Sequence, residues 1–132
     1  MGARSILVGS DDERLATSLA IAGFAVVPLG ASWLDMLEDE VHRLVLVDDG
    51  CAPEVLAHLR GVSGGRRRDL FVVRWDAEGV TGDRTAAWRQ SVDLVVNPAD
   101  VARLGALVDE GVAEKQAFYA RFREIAGAQG DA

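Results

Sequence analysis

Short apolar runs without polar interruption alternate along this chain with stretches of helical period. The runs occupy residues 6–8, 24–27, 44–47, 70–73 and 94–96. Between them apolar residues recur at spacings of three and four, as in Leu15, Leu19 and Ala22. Strands with continuous apolar runs are buried on both faces, as parallel strands covered by helices are. The pattern therefore predicts a doubly wound α/β domain with a five-stranded parallel sheet.

Several residues mark the predicted helix boundaries. Ser10 and Glu13 have the spacing of a capping box, and so do Ser32 and Asp35. Gly23 follows the first predicted helix, where a residue in the left-handed conformation often ends a helix. These signals support the alternation of strands and helices.

The length, charge and cysteine content restrict the class of protein. A chain of 132 residues fits one domain, and a net charge of -7 argues against a nucleic-acid partner. The arginine run 66–68 is interpreted as a solvated turn. Cys51 is the only cysteine, which excludes an intrachain disulfide and predicts a cytoplasmic location, with the thiol as a semi-buried filler. The apolar run 6–8 is too short for a signal peptide or a membrane span, so no membrane partner is expected.

Acidic residues follow three of the predicted strands. Asp11 and Asp12 come after the first strand, Asp48 and Asp49 after the third, and Asp76 after the fourth. The carboxyl ends of parallel strands meet at one edge of the sheet, where ligands of such folds bind. Carboxylates gathered there repel each other, so Mg²⁺, an arginine or raised pKa values must offset the repulsion.

Four segments in order resemble the receiver domains of response regulators. They are ILVGSDD at 6–12, GFAVV at 23–27, LVLVD at 44–48 and VDLVVNP at 92–98. The resemblance covers about residues 4 to 112. It implies a flavodoxin-like sheet with strand order 2-1-3-4-5 and a role in signal transduction. It also implies that Asp48 stands at the place of the phosphorylated aspartate, with Asp11 and Asp12 as the acidic pair.

Four residues depart from the pattern of that family. Asn97 stands where the family has a lysine that contacts the phosphoryl group, and Leu94 replaces its aromatic residue of strand five. Arg74 falls on the threonine or serine that ends strand four, and Trp75 falls on the small residue after it. An amide carries no charge to balance a phosphate, and an indole obstructs access to Asp48. These departures predict that Asp48 is not phosphorylated.

Arg74 suggests a further hypothesis for the acidic edge. One guanidinium can pair with two carboxylates, so Arg74 could act as the counter-ion of Asp48 and Asp11 in place of a metal. The alternative is that Arg74 extends to solvent from the sheet. If the edge does bind Mg²⁺, then Asp11 and Asp48 are the expected ligands; otherwise no cofactor is expected. Asp11 and Asp12 also suit the first turn of a helix, where the helix dipole favours acidic side chains.

The C-terminal stretch has an apolar rhythm close to a heptad. From residue 99 to 126 it runs over about 28 residues, or roughly 42 Å of helix. We therefore predict a receiver-like domain at 1–112 and a helical extension at 113–132 with a frayed end. Phe118, Tyr119 and Phe122 are predicted to form an interaction surface on that extension. The alternative is a helix that breaks near Gly111 and folds back on its own domain.

Together these features predict an atypical receiver, without enzymatic activity, that acts as an interaction or dimerisation module in bacterial signalling. Its partner is another protein or a second copy, bound through the last helix. A first alternative is a phosphorylatable receiver that accepts phosphate on Asp48 with Mg²⁺. A second alternative is a small-molecule or nucleotide binder that uses the acidic edge of the flavodoxin-like sheet.

Overall fold

A five-stranded parallel sheet forms the centre of the protein. The computed structural model describes residues 4–39, 43–48, 50–62 and 64–130. The strand order is β2-β1-β3-β4-β5, which confirms the predicted flavodoxin-like fold and its order. The strands are β1 Arg4–Gly9, β2 Phe24–Pro28, β3 Leu44–Asp48, β4 Phe71–Trp75 and β5 Leu94–Val96.

Helices connect the strands and cover both faces of the sheet. The arginine run 66–68 lies inside one of them, so its assignment to a turn is wrong. Arg66 Nη2 donates to the carbonyl of Leu37 at 2.7 Å, and Arg67 Nη2 to that of Ser91 at 2.7 Å, which docks this helix on its neighbours. The helices are α1 Glu13–Ile21, α2 Trp33–Glu38, α3 Pro53–Arg60, α4 Gly64–Asp69, α5 Arg84–Gln90, a 3₁₀ helix Pro98–Arg103, and α6 Leu104–Gly130.

The helix ends differ in part from the predicted caps. Asp12 is the N-cap of α1, and its carboxylate accepts from the Arg14 amide at 3.0 Å. Ser10 instead accepts from the amide of Asp12, and Ser32 makes no side-chain cap bond, so neither predicted capping box forms. The carboxylate of Asp12, next to the first turn, takes the place expected of the serine. Gly23 has a φ of 94°, which confirms its predicted left-handed role.

The central strands are buried on both faces, and their successive apolar residues belong to opposite cores. Ile6 and Val8 of β1 pack under α1 and α6, whereas Leu7 packs on the other side. This double burial explains why the apolar runs lack polar interruptions. The first core contains Leu15, Leu19, Leu46, Phe71, Val73, Trp75, Leu104 and Val108, and the second contains Val45, Val47, Val55, Leu56, Leu59, Leu70, Val72 and Val95.

The last helix, α6, continues without a break past Gly111. The predicted alternative of a break at this glycine is therefore wrong. A Cβ atom on Gly111 would lie 2.5 Å from Cζ of Phe71, so the glycine allows close packing rather than a turn. The division of the chain into parts at residue 112 stays a prediction.

Within the described ranges, no helix combines the length and the apolar character needed to cross a bilayer.

A single lysine fastens α6 to the sheet. The chain has thirteen arginines but only Lys115 as lysine. Lys115 Nζ donates to the carbonyls of Arg67 at 2.9 Å and Leu70 at 2.8 Å, and to Asp93 Oδ1 at 3.0 Å. The other carboxylate oxygen of Asp93 accepts from the Val72 amide at 2.8 Å. Burial lowers the pKa of Lys115, and the carboxylate of Asp93 opposes this effect. The three donors of the ammonium thus hold α6 against the starts of β4 and β5.

Replacing this lysine should weaken the whole domain. We expect Lys115→Met to lower the free energy of unfolding by about 2–3 kcal/mol, because two carbonyls and a carboxylate lose a charged donor. Lys115→Arg should recover little of the lost stability, since a planar guanidinium cannot reach the same three acceptors. Urea denaturation at neutral pH measures both. Gln116→Met, at the exposed neighbouring position, is the matched control. A Lys115→Met protein as stable as the control would show that this contact is unimportant.

Candidate functional site

The carboxylate of Asp48 lies at the carboxyl end of β3, as predicted. Its Oδ2 accepts from the hydroxyl of Ser10 at 3.3 Å, and its Oδ1 accepts from the Gly50 amide at 3.0 Å. The side chain is half-buried. Asp49, predicted as part of the same acidic pocket, lies outside the described residues. The hydrogen-bond donors described for Asp48 are therefore neutral groups.

Asp11 contacts the single cysteine. Cys51 Sγ donates to Asp11 Oδ2 at 3.3 Å. Cys51 is exposed, so the expectation of a semi-buried filler is wrong; the next residue, Ala52, takes the buried place. A backbone hydrogen bond at Asp11 lowers the pKa of the thiol, but the Asp11 carboxylate, burial and the charge of Asp48 outweigh it and raise the pKa overall. The thiol therefore stays protonated at neutral pH and is a weak nucleophile.

Asp12 is turned toward its own helix rather than toward Asp48. Its Oδ2 forms an ion pair with Arg14 Nη2 at 2.7 Å. The hydrogen bond from Arg14 lowers the pKa of Asp12 despite burial, and the Trp75 side chain contributes in the same direction. Among the described side chains, no three from His, Cys, Asp or Glu are grouped so that they could hold a metal ion. Binding of Mg²⁺ by Asp11 and Asp48 stays a prediction.

Trp75 and Arg74 leave β4 on opposite faces of the sheet. Trp75 pairs with Asp48 across the two strands, and its side chain is only 3% exposed in the core under α1 and α6. Its influence on the pKa of Asp12 places the indole near the acidic edge. Obstruction of access to Asp48 by this indole stays a prediction.

The side chain of Arg74 points away from the face of Asp48. Arg74 pairs with Val47, which packs in the second core, so the two residues share that face. The ion pair described for Arg74 joins its Nη2 to Asp76 Oδ2 at 3.8 Å, and its side chain is 15% exposed. The predicted bridge from Arg74 to Asp48 and Asp11 stays a prediction. Strand parity is the signal that would have placed Trp75, rather than Arg74, beside Asp48.

Asn97 uses its whole amide to hold the loop between β4 and α5. Its Oδ1 accepts from the Ala99 amide at 2.9 Å, which caps the 3₁₀ helix. Its Nδ2 donates to the carbonyls of Gly79 at 2.8 Å and Ala77 at 3.3 Å. Its backbone amide donates to the Thr81 hydroxyl at 2.9 Å. The residue at the lysine position of the family pattern thus bonds to the chain itself.

A groove of about 710 Å³ lies between α5, β5 and α6. We call it the α5–α6 groove. Phe118 is 61% exposed at this groove, and Phe122, one turn further along α6, is 52% exposed. Tyr119 is half-buried and lies under Arg68, whose Cζ is 5.0 Å from the ring centroid. The three predicted aromatic residues therefore divide, with two facing outward and Tyr119 facing the body. The floor and rim include Phe71, Ala87, Leu94, Val95, Leu107, Gly111, Arg84 and Glu114.

Substitution of Asn97 should show that its amide stabilises the loop. Asn97→Asp keeps an oxygen for the Ala99 amide but points a carboxylate at the carbonyls of Gly79 and Ala77. We expect it to lower the free energy of unfolding by about 1–3 kcal/mol. Asn97→Ser keeps an N-cap oxygen without the added charge, so a loss of about 1 kcal/mol is expected. Urea denaturation compares the variants, and an Asp variant as stable as the wild type would contradict the assignment.

The arrangement at this edge is a set of carboxylates that each have a separate partner within the chain. Among the described residues, this edge contains neither a group of side chains that could hold a metal ion nor a cationic hydrogen-bond donor to Asp48. Comparison of the chain with protein-family models and with curated proteins gives no match.

Proposed function

We propose that the protein is an atypical, receiver-like interaction module that works without phosphorylation of Asp48. It would act in the bacterial cytoplasm, in the manner of a pseudo-receiver of a two-component system. The observation that carries the proposal is the bonding of Asn97. Its amide, at the place of a phosphate-binding lysine, is committed to the carbonyls of Gly79 and Ala77.

The surroundings of Asp48 support the same conclusion. A phosphoryl group on Asp48 would carry about two negative charges where the carboxylate carries one, and these charges need cations or several strong donors nearby. The hydroxyl of Ser10 and the amide of Gly50 are uncharged donors. Asp11 accepts a hydrogen bond from Cys51, in the loop that follows β3, and its carboxylate adds to the negative charge at this edge. Phosphorylation here would be opposed by repulsion from the acidic edge.

Treatment with a small phosphodonor tests this part of the proposal. After incubation with acetyl phosphate and Mg²⁺, we expect the intact mass to remain that of the unmodified chain. The Asp48→Asn variant is the matched control, because it retains the shape of the side chain without the acceptor carboxylate. A phosphate adduct present in the wild type and absent from Asp48→Asn would instead establish the phosphorylatable receiver.

The exposed side of α6 provides the interaction surface, and a second copy of the chain fits it best. Glu114 and Arg121 lie on either side of Phe118 along the α5–α6 groove. Spacings of three and four place these side chains on one face of the helix. When two such helices pack antiparallel about Phe118, Glu114 of each copy faces Arg121 of the other. The surface is therefore complementary to itself in charge.

The phenylalanines supply the apolar part of this contact. Phe118 is 61% exposed and Phe122 is 52% exposed, although both are large apolar side chains. Full burial of such a side chain contributes about 1.5–3 kcal/mol. The existing ion pair of Glu114 with Arg84, 3.4 Å apart, involves side chains that are 68% and 87% exposed. An exposed pair of this kind is weak, so Glu114 can exchange its partner at little cost.

Self-association should depend on Phe118. Sedimentation velocity over a range of protein concentrations should show a monomer–dimer equilibrium for the wild type. We expect Phe118→Glu to raise the dimer Kd at least about thirtyfold, as for the loss of a hot-spot residue. Ile21→Glu introduces the same charge at an apolar side chain that is 82% exposed on α1, and it should leave the Kd unchanged.

A charge exchange makes the test specific for the antiparallel arrangement. Glu114→Arg and Arg121→Glu should each weaken the dimer, and the double variant should restore it, because the two charges then face each other in reversed order. A wild type that stays monomeric would refute the self-association. An equal effect of Ile21→Glu would show that general charge, rather than this face, controls association.

A further inference from the structure

We propose that a second cavity, at the edge of the sheet opposite to Asp48, binds a small organic anion that carries a phosphate and an aromatic ring. The cavity measures about 450 Å³ and is lined by residues that precede β3 and β4 and by one side of α6. We call it the arginine cavity. The proposal goes beyond the interaction function, because it concerns a different surface and a different class of ligand.

The charge of the arginine cavity is the first observation. Its lining includes Arg43, Arg68 and Arg123, together with Lys115 and Asp69. Lys115 already pairs with Asp93 at 3.0 Å. In the part of the chain that the structure describes, Arg43, Arg68 and Arg123 have no carboxylate within ion-pairing distance. Three guanidinium groups thus line one cavity, with Asp69 as the carboxylate among its lining residues, in a chain whose net charge is -7.

The chemistry of these guanidinium groups selects the anion. Each presents a planar fork of N–H donors that matches the oxygens of a phosphate or a carboxylate. Arg43 comes from the residue before β3, Arg68 from α4 and Arg123 from α6, so the three approach from separate elements. Asp69 offsets one of these charges, and the remaining cations repel each other unless a further anion lies between them. A phosphate group, with its higher charge, compensates three cations better than a single carboxylate does.

The wall of the arginine cavity selects the rest of the ligand. Tyr119 lines it, and Arg68 lies against that ring with Cζ 5.0 Å from the centroid. Leu44, Phe71 and Val112 add an apolar floor. A stacked aromatic ring would contact Tyr119 while its phosphate meets the arginines. A volume of about 450 Å³ lies within the range of small-molecule sites. A mononucleotide is the class of metabolite that combines these groups at this size.

Titration with ADP, adenosine and pyrophosphate tests both halves of the proposal. Amide spectra of ¹⁵N-labelled protein should show saturable shifts with ADP near Leu44 and Tyr119, and none near Asp48. Adenosine lacks the phosphates and pyrophosphate lacks the ring, so each should bind at least about tenfold more weakly than ADP. Arg123→Glu should weaken ADP binding at least about tenfold, whereas Arg89→Glu, an exposed arginine on α5, should change it less than about twofold.

Several results would overturn the proposal. The first is a lack of saturable ADP binding at concentrations up to about 10 mM, which corresponds to a negligible affinity. The second is an Arg89→Glu variant that weakens ADP binding as much as Arg123→Glu does. Adenosine binding as tight as that of ADP would refute the anion site, and equally tight pyrophosphate binding would refute the aromatic half. Arg43→Glu, on a different element from Arg123, repeats the test should one variant unfold. These outcomes are measured by ligand binding alone, so the tests of Asp48 phosphorylation and of self-association remain separate from them.

Discussion

The ammonium group of Lys115 determines where the longest helix lies on the sheet. Its three bonds join α6 to the carbonyls that precede β4 and to the carboxylate that precedes β5. Lys115 lines both cavities beside α6, which are the α5–α6 groove on one side and the arginine cavity on the other. A charge that is 18% exposed can be tolerated only because three acceptors surround it. One partly buried polar contact therefore helps to fix the position of both surfaces.

The edge at Asp48 differs from this, because its polar groups bond to partners within the same edge or the adjoining loops. Asp12 binds Arg14, Asp11 accepts from Cys51, and Asn97 supports the neighbouring loop. Hydrogen-bonding groups that already have partners must lose them before they can bind a ligand. In a receiver the same edge would keep its donors available for a phosphoryl group. Here the polar groups of the edge hold the loops in place, and the two proposed binding surfaces lie along α6.

The sequence allowed the sheet to be predicted, because burial on both faces leaves an unmistakable run of apolar residues. Continuity of α6 was harder to foresee, since Gly111 resembles a helix terminus until Phe71 is known to pack against it. Apart from the Ala99 amide, the partners of Asn97 and Lys115 lie 16 to 48 residues away along the chain, and no local pattern encodes them. The rarity of lysine among many arginines was the one available signal for Lys115. Arg74 could have been assigned to its face by the two-residue period of a strand.

The adjacent positions of Phe118 and Tyr119 have a consequence for regulation. Their rings contact each other, with centroids 5.2 Å apart; Phe118 lines the α5–α6 groove, and Tyr119 lines both this groove and the arginine cavity. Whatever immobilises one ring restricts the conformers of the other. Occupancy of the arginine cavity and pairing of two chains would then be thermodynamically linked, so each must alter the equilibrium of the other by the same factor. Through this one turn of helix, the fraction of dimer would depend on the concentration of the ligand.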